Sequence, residues 1–182
     1  MRWREQSWAA LVARSLRRTA LRLDRLGAER KVPTANIFLA LANAPVQLDA
    51  FLTYANALRG SELSPKLREL AILAVGHAAN SRYEIAHHQS HALGAGVTAQ
   101  QLAAIGDFEN STEFDELELA VLRLARRSTL DVEVADAAWH AVAKHLSDRQ
   151  MVELALTIAW YNSGVRIMGL LDIDLEDTHL HP

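Results

Sequence analysis

Apolar residues recur at spacings of three and four along most of the chain, which is the period of an amphipathic helix. The first 26 residues predict one long helix that ends at Gly27 and carries arginines on its polar faces. Pro45 divides the next apolar stretch, residues 34–58, into two helices because proline disrupts a helix interior. No segment alternates with a period of two, so the pattern predicts an all-α protein. The remaining predicted elements are helices near residues 65–79, 81–95, 113–127, 133–145 and 148–170, a short helix after Thr98, and a loop at residues 106–112.

Short polar motifs predict where several of these helices begin. Ser81 and Glu84 form an S-x-x-E capping box, in which the serine hydroxyl and the glutamate carboxylate each accept from the other residue's backbone amide. Ser64 and Pro65 predict an N-cap followed by a proline in the first turn. The capping-box spacing also occurs at Thr98 with Gln101 and at Ser147 with Gln150.

The length and apolar content of the chain suit a single domain. Its 182 residues are 50% hydrophobic, which is enough to build one continuous core. We assign residues 1–32 to an N-terminal amphipathic helix that serves as an oligomer arm, and residues 33–182 to one helical domain. Within that domain, residues 63–81 and 146–163 share LS, ELA and NS. An internal duplication would explain this similarity, and so would two buried helices with the same caps.

Charge and cysteine content narrow the range of partners. The net charge of −3 disfavours general binding to nucleic acid, which needs a basic face. Arginines interrupt the apolar residues of the N-terminal segment, and no run approaches membrane-spanning length, so we expect neither export nor a membrane anchor. The chain has no cysteine, which excludes disulfides and thiol redox chemistry by this chain alone. These features predict a cytoplasmic protein whose partners are small molecules or other proteins.

A glutamate and three histidines lie close together in NSRYEIAHHQSH, residues 80–91. On a helix, Glu84, His88 and His91 fall on one face, and His87 is turned toward its side. A carboxylate beside an imidazole forms an acid/base pair, because the carboxylate raises the imidazole pKa while burial lowers it. Such a pair is suited to proton transfer near neutral pH.

Two other interpretations of this cluster are open on the sequence alone. Glu84, His88 and His91 match the two-imidazole, one-carboxylate ligand set of non-haem iron sites. Three ligands on one straight helix, however, span about 10 Å, too far to meet one ion without another segment. We therefore expect no metal and no cofactor. Alternatively, the histidines are passengers on a solvated helix face.

The stretch ELSPKLRELAILAVGHAANSRYEIAHHQSHALGAGVTAQQLAAI resembles the central block of the carboxymuconolactone decarboxylase and alkylhydroperoxidase D-like superfamily. The segments NIFLALANAPVQLDAFLTYANAL and LSDRQMVELALTIAWYNSGVRIM extend the likeness over residues 33–170. The resemblance implies a single-domain, all-α helical bundle of the AhpD-like type. It also implies a homo-oligomer, either a dimer or a hexamer, because family members assemble through helical interfaces.

In the peroxidase-type members of that superfamily, a glutamate precedes a C-x-x-C pair by about a dozen residues, and a histidine follows four residues after the second cysteine. In this chain the glutamate corresponds to Glu69, the cysteines to Ser81 and Glu84, and the histidine to His88. Because both thiols are absent, we do not expect thiol peroxidase activity.

What remains resembles the decarboxylase branch, a cofactor-free acid/base lyase acting on a small carboxylated or lactone substrate. The resemblance implies that His88 is the catalytic acid/base, that Glu84 orients it, and that Glu69 joins them from the preceding helix. On the sequence alone, His88→Ala is expected to abolish turnover and to leave stability little changed. The candidate substrate-binding residues are Ser81, Tyr83, His87 and His91.

Two alternative functions are compatible with the same resemblance. One is a catalytically silent, homo-oligomeric binding or scaffold protein of the same fold. The other is a peroxidase-related, peroxiredoxin-like antioxidant family member that has lost its thiols. Convergence of the two glutamates and His88 on one site would favour the enzyme.

Overall fold

A computed structural model describes residues 35–176. The predicted N-terminal helix and oligomer arm lie outside the described residues, as do residues 177–182. Within the described range the regular structure is helical, which confirms the predicted all-α class. The elements are α1 (Asn36–Leu41), α2 (Pro45–Arg59), α3 (Pro65–Ala78), α4 (Arg82–Gly94), α5 (Ala99–Ala104), a 3₁₀ helix (Ile105–Asn110), α6 (Glu116–Asp131), α7 (Asp136–Ala143) and α8 (Asp148–Leu171). In the described range, no helix is both long and apolar enough to span a lipid bilayer.

The chain divides into two compact units, of which the first comprises residues 1–57 and 166–182. In its described part, Leu48 is fully buried, and Ala42 lies beside it in a small apolar cluster. The Asn36 backbone amide donates to the Glu176 carboxylate over 2.5 Å, which fixes the start of α1 to the end of the described chain. The partly buried residues that pack on the cluster are Phe38, Leu39, Leu41 and Leu52.

The second unit, residues 58–165, is built around α3. Every residue of α3 from Glu69 to Gly76 is buried, and the helix packs mainly against α6 and α4. The sequence RELAILAVGHA is apolar on nearly all sides, which explains why this helix occupies the centre. A carboxylate on such a helix is held inside the protein, so Glu69 needs a partner.

The helix starts agree in part with the predicted caps. The capping box of Thr98 and Gln101 forms in full at α5. The box of Ser147 and Gln150 at α8 also forms, with both of its hydrogen bonds. Pro65 lies in the first turn of α3 as predicted, but the Ser64 side chain makes no capping hydrogen bond. At α6, a further box joins Asp115 and Glu118.

The predicted loop at residues 106–112 is wrong over most of its length. Residues 105–110 form a 3₁₀ helix, with a break at Asp107 (φ −134°, ψ 43°). Phe108 is buried and anchors this segment, although its neighbours are glycine and polar residues. Helix α6 also begins later and continues further than predicted, ending at Asp131, where Val132 takes a positive φ of 62°.

Candidate active site

Glu69 on α3 and His88 on α4 form the centre of the candidate site. His88 Nδ1 lies 2.7 Å from Glu69 Oε2, and His88 Nε2 lies 3.0 Å from Glu84 Oε1. Both ring nitrogens therefore contact a carboxylate, one from each helix. The side chains are 14% exposed for His88 and 7% for Glu69, so this group is largely removed from water.

A glycine allows α4 to approach α3 closely at this point. A Cβ atom at Gly76 would lie 3.2 Å from Ile85 Cγ1, which is tighter than most such contacts, and in ordinary contact with Glu84 Cβ at 3.5 Å. The close approach brings the first turn of α4 against the buried part of α3. It is one reason why the carboxylates of Glu69 and Glu84 reach the same imidazole.

The predicted Ser81 and Glu84 capping box forms only by half. The Glu84 backbone amide donates to Ser81 Oγ over 3.3 Å, as the motif predicts. The Ser81 backbone amide instead donates to the Gly76 carbonyl over 2.8 Å, so it has no need of the Glu84 carboxylate. That carboxylate turns to His88, one helical turn later, and Ser81 itself is a helix cap.

The two carboxylates fix the charge of His88. Burial tends to lower its pKa, but the hydrogen bonds and negative charges of Glu69 and Glu84 outweigh burial and raise the pKa to about 9. Burial likewise tends to raise the pKa of Glu69, whereas the bond and charge of His88, together with Arg68, bring it below its ordinary value. Near neutral pH, His88 is therefore an imidazolium that donates from both nitrogens.

Arg68 extends this group by one more charge. Its Nε lies 3.6 Å from Glu69 Oε1, on the oxygen that His88 does not use. Arg68 also donates from Nη1 to the Arg59 carbonyl over 3.4 Å, which holds the guanidinium beside the start of α3. Charges of alternating sign therefore follow one another from Arg68 through Glu69 and His88 to Glu84.

Tyr161 on α8 completes the site, although no motif in the sequence points to it. Its ring meets the His88 ring edge to face, with centroids 5.0 Å apart and planes at 89°. Burial and the charges of both glutamates raise the pKa of its phenol well above the ordinary value, so the hydroxyl keeps its proton. Its only sequence signal was its place in an apolar helix, which is typical of a packing residue.

The other predicted substrate-binding residues lie around this centre in different ways. The Tyr83 and His87 rings stack, with centroids 4.3 Å apart, and Tyr83 is buried. The His91 ring is tilted against His88 at 5.6 Å. Desolvation and the positive charge of His88 both lower the pKa of His91, so His91 is the neutral histidine of the pair.

The iron-type arrangement is not assembled in the described residues. Across residues 35–176, no set of three or more histidine, aspartate or glutamate side chains has the geometry to hold a metal ion. Glu84 and His88 contact each other, so the hydrogen bond uses the atoms that an ion would need. The described group is a histidine held between two carboxylates.

One family model matches part of the chain. Residues 45–127, which include α3, α4 and all three charged residues of the centre, match the family model described as the carboxymuconolactone decarboxylase family. The match covers slightly less than half of the chain and shows a likeness to that family over this segment. No curated protein gave a significant match.

Solved structures extend the likeness beyond the matched segment. A peroxidase-related protein from Silicibacter sp. TM1040 is 16% identical, with a TM-score of 0.77, over 90% of this chain and 87% of that one. The alkylhydroperoxidase AhpD core of a peroxidase-related protein from Ralstonia eutropha JMP134 is 21% identical, with a TM-score of 0.72. The match covers 96% of this chain and 91% of that one. The debrominase Bmp8 is 20% identical, with a TM-score of 0.74, over 81% of each chain.

At these identities the structures establish the fold alone, and that fold is AhpD-like. This carboxymuconolactone decarboxylase-like chain carries no cysteine, so it has the fold without the C-x-x-C pair. The resemblance placed the second cysteine at residue 84. In this structure a carboxylate occupies that position and contacts His88.

Proposed function

We propose that this chain is a cofactor-free acid/base enzyme that decarboxylates a small carboxylated or lactone-like substrate. The observation that carries the proposal is the buried imidazolium of His88 between Glu69 and Glu84, in a segment that matches the carboxymuconolactone decarboxylase family. A histidine that is protonated near neutral pH and screened from water is suited to donate a proton to carbon.

The chemistry balances with this chain's own residues. Loss of carbon dioxide breaks the bond to the carboxylate carbon and leaves the electron pair on the substrate, where a conjugated carbonyl holds it as an enolate. The enolate carbon then takes a proton from His88, and the neutral imidazole regains a proton from water. The reaction consumes one proton and requires no oxidant or reductant.

The contacts of His88 suggest different roles for its two ring nitrogens, one in positioning the ring and one in proton transfer. Glu69 makes the shorter bond, at 2.7 Å, and comes from the buried centre of α3, so it holds the ring in place. Glu84 makes the longer bond, at 3.0 Å, to Nε2. We assign Nε2 as the nitrogen that transfers the proton, after the substrate displaces the Glu84 carboxylate.

Tyr161 and the ring of predicted substrate-binding residues have supporting roles in this proposal. The phenol of Tyr161 keeps its proton and can donate to the enolate oxygen as negative charge develops there. His91, which is neutral, can accept or donate without adding charge. Ser81, Tyr83 and His87 shape the surroundings through the helix cap and the stacked rings.

Carbon dioxide release provides the direct test. The purified protein is incubated with a panel of carboxylated lactones and conjugated keto acids, and release is measured for each. We expect saturable release from at least one substrate, reduced by a factor of roughly 100 or more in His88→Gln. His140→Gln is the matched control, because His140 is an exposed histidine whose ring bonds within its own helix, to the Asp136 carbonyl. Equal release by both variants would remove His88 from the reaction.

A specific observation also favours the catalytically silent alternative. Both nitrogens of His88 are already bonded to carboxylates, as in a purely structural ion triplet. A silent binding protein would bind members of the same panel without any release of carbon dioxide. Binding by calorimetry with no product by mass spectrometry would therefore support it over the enzyme.

The third alternative, a peroxidase-related protein that has lost its thiols, makes its own prediction. Hydroperoxide reduction with dithiol donors should be at background level, because no cysteine can cycle. Robust, saturable reduction by the metal-free protein would contradict this expectation.

We further propose that the enzyme is cytoplasmic and works as a homo-oligomer, either a dimer or a hexamer. Exposed apolar side chains on α8 support assembly, with Val152 56% and Leu156 41% exposed one turn apart. Light scattering should give at least twice the monomer mass of 20.1 kDa. Removal of residues 1–26 should lower the assembly state or the solubility, and a stable monomer of the full-length chain at micromolar concentration would contradict the proposal.

A further inference from the structure

A second group of charged side chains lies on α6 and the 3₁₀ helix, outside the site of His88. It surrounds a pocket of about 160 Å³. A single ordered water needs only about 10–15 Å³ of such space, so the pocket admits a much larger group. Its lining residues, here called the arginine pocket, are Glu109, Arg123, Arg126, Arg127 and Leu130.

The arginine pocket carries an excess of positive charge although the whole chain is acidic. Arg123 is paired with Glu109 through bonds of 2.6 to 3.2 Å from Nε and Nη2. Arg127 is paired with Asp131 at 3.3 Å. Among the described residues no carboxylate forms an ion-pair contact with Arg126, although its charge also acts on Glu109, so two carboxylates balance three guanidiniums.

The position of Arg126 orients its guanidinium so that it can bind an anion. The group lies over the Phe108 ring, 5.7 Å from the ring centroid, and Phe108 is itself buried. Stacking on a buried ring holds the guanidinium plane in place and leaves its N–H groups at the edge. Spacings of three and four residues put Arg123, Arg126 and Arg127 on one side of α6, where like charges destabilise a helix unless an anion joins them.

We propose that the arginine pocket binds the phosphate group of a small phosphorylated molecule. Three guanidiniums around one small pocket suit a group with several charged oxygens better than a carboxylate with two. Leu130 supplies an apolar wall for the rest of the ligand, and it is 55% exposed without one. A purely structural role is the alternative, since cations near a helix C-terminus are favoured by the helix dipole.

The test uses inorganic phosphate and phenyl phosphate as probes for the full-length chain, with binding followed by calorimetry and by backbone NMR shifts. We expect saturable binding with shifts confined to α6 and the 3₁₀ helix, and tighter binding of phenyl phosphate if Leu130 contacts the organic part. Arg126→Gln should weaken phosphate binding at least tenfold. Sulfate at equal ionic strength should compete, and chloride should compete far less.

Two further variants make the outcome decisive. Arg149→Gln is the matched control, because Arg149 is an exposed arginine on α8 paired with Glu62 and Glu153, and it should bind phosphate as the wild type does. Glu109→Gln should tighten binding several-fold, because it removes the carboxylate that competes for Arg123. Equal losses in Arg126→Gln and Arg149→Gln, unchanged or weaker binding in Glu109→Gln, or no saturable binding at all would each overturn the proposal. None of these outcomes depends on activity at His88.

Discussion

The second unit contains two charged groups that have similar distances and very different surroundings. His88 and Glu69 are 2.7 Å apart with side chains 14% and 7% exposed, whereas Arg123 and Glu109 are 2.6 Å apart with side chains 51% and 43% exposed. Coulomb interactions weaken strongly in water and remain strong where water is excluded. At nearly equal distances, burial therefore decides what each ion pair contributes to stability or chemistry.

The largest expected effect comes from removing His88. His88→Ala leaves the carboxylates of Glu69 and Glu84 facing each other in a buried site, which should cost about 3–5 kcal/mol in the free energy of unfolding. This expectation replaces the one from the sequence alone, in which stability was little changed. Urea unfolding at pH 7 measures it, and a loss below about 1 kcal/mol would contradict the buried triplet.

A neutralising variant identifies the cause of that loss. In the His88→Ala background, exchange of both glutamates for glutamine removes the two unpaired charges while keeping the side-chain shapes. Much of the lost stability should return if repulsion and desolvation of the carboxylates are responsible. If nothing returns, the imidazole acts mainly through packing.

The stability of the protein should depend on pH because His88 is buried between two carboxylates. The folded pKa of His88, about 9, lies above its unfolded value of 6.5, so its contribution is complete below pH 6.5 and is lost as the pH rises toward 9. The expected loss over this window is on the order of a few kcal/mol. Thermal unfolding across the window measures it, and a His88→Leu variant should remove the slope. An unchanged slope in that variant would assign it to other groups.

The stabilisation that Glu69 provides is lost when the pH falls, whereas that of His88 is lost when the pH rises. Its folded pKa is lowered, so its contribution is complete above its ordinary pKa of 4.5 and is lost as the pH falls through the lower folded value. Together the two groups place maximal stability between roughly pH 4.5 and 6.5.

An intermediate effect is expected at the cap of α4. Ser81→Ala removes the oxygen that accepts from the Glu84 amide and should cost about 1 kcal/mol. Ser64→Ala is a matched control, because Ser64 occupies the same position at α3 without a capping bond. Denaturant unfolding should therefore separate the two variants. Equal losses would mean that the Ser81 bond contributes nothing beyond helix-start propensity.

The smallest effect is expected at the surface pair. A double-mutant cycle on Arg123 and Glu109 should give a coupling energy below about 1 kcal/mol, because exposed ion pairs are screened by water and salt. The coupling should fall further in 0.5 M salt, whereas the loss in His88→Ala should hardly change. A large, salt-insensitive coupling energy at this exposed pair would contradict the claim that burial decides what an ion pair contributes.

Most of the fold followed from periodicity and turn residues. The helices around Pro45 and Pro65 could be predicted because proline constrains the backbone locally. The segment at residues 105–110 could not, because its glycine and polar residues look like a loop, while Phe108 is held by tertiary packing. Local composition contains no record of that packing.

The candidate site could be predicted where helix geometry or family spacing was sufficient. The Glu84 and His88 contact follows from positions one turn apart, and the Glu69 placement follows from the spacing of the resemblance. The missing half of the Ser81 and Glu84 capping box could not be predicted, because the Ser81 amide donates to the Gly76 carbonyl across the α3–α4 connection. Tyr161 comes from a distant helix, and nothing near it in sequence indicates the contact.

The contacts of both His88 ring nitrogens with carboxylates have a spectroscopic consequence. An imidazolium whose two N–H groups both point at carboxylates, in a site largely closed to water, should exchange those protons slowly with solvent. Two ring N–H resonances should then be visible far downfield in the proton spectrum, whereas a neutral imidazole offers only one N–H. As the pH rises past about 9 the imidazolium loses a proton, and one of the two signals should disappear before the other. The order of loss would tell which carboxylate, Glu69 or Glu84, holds its proton more firmly.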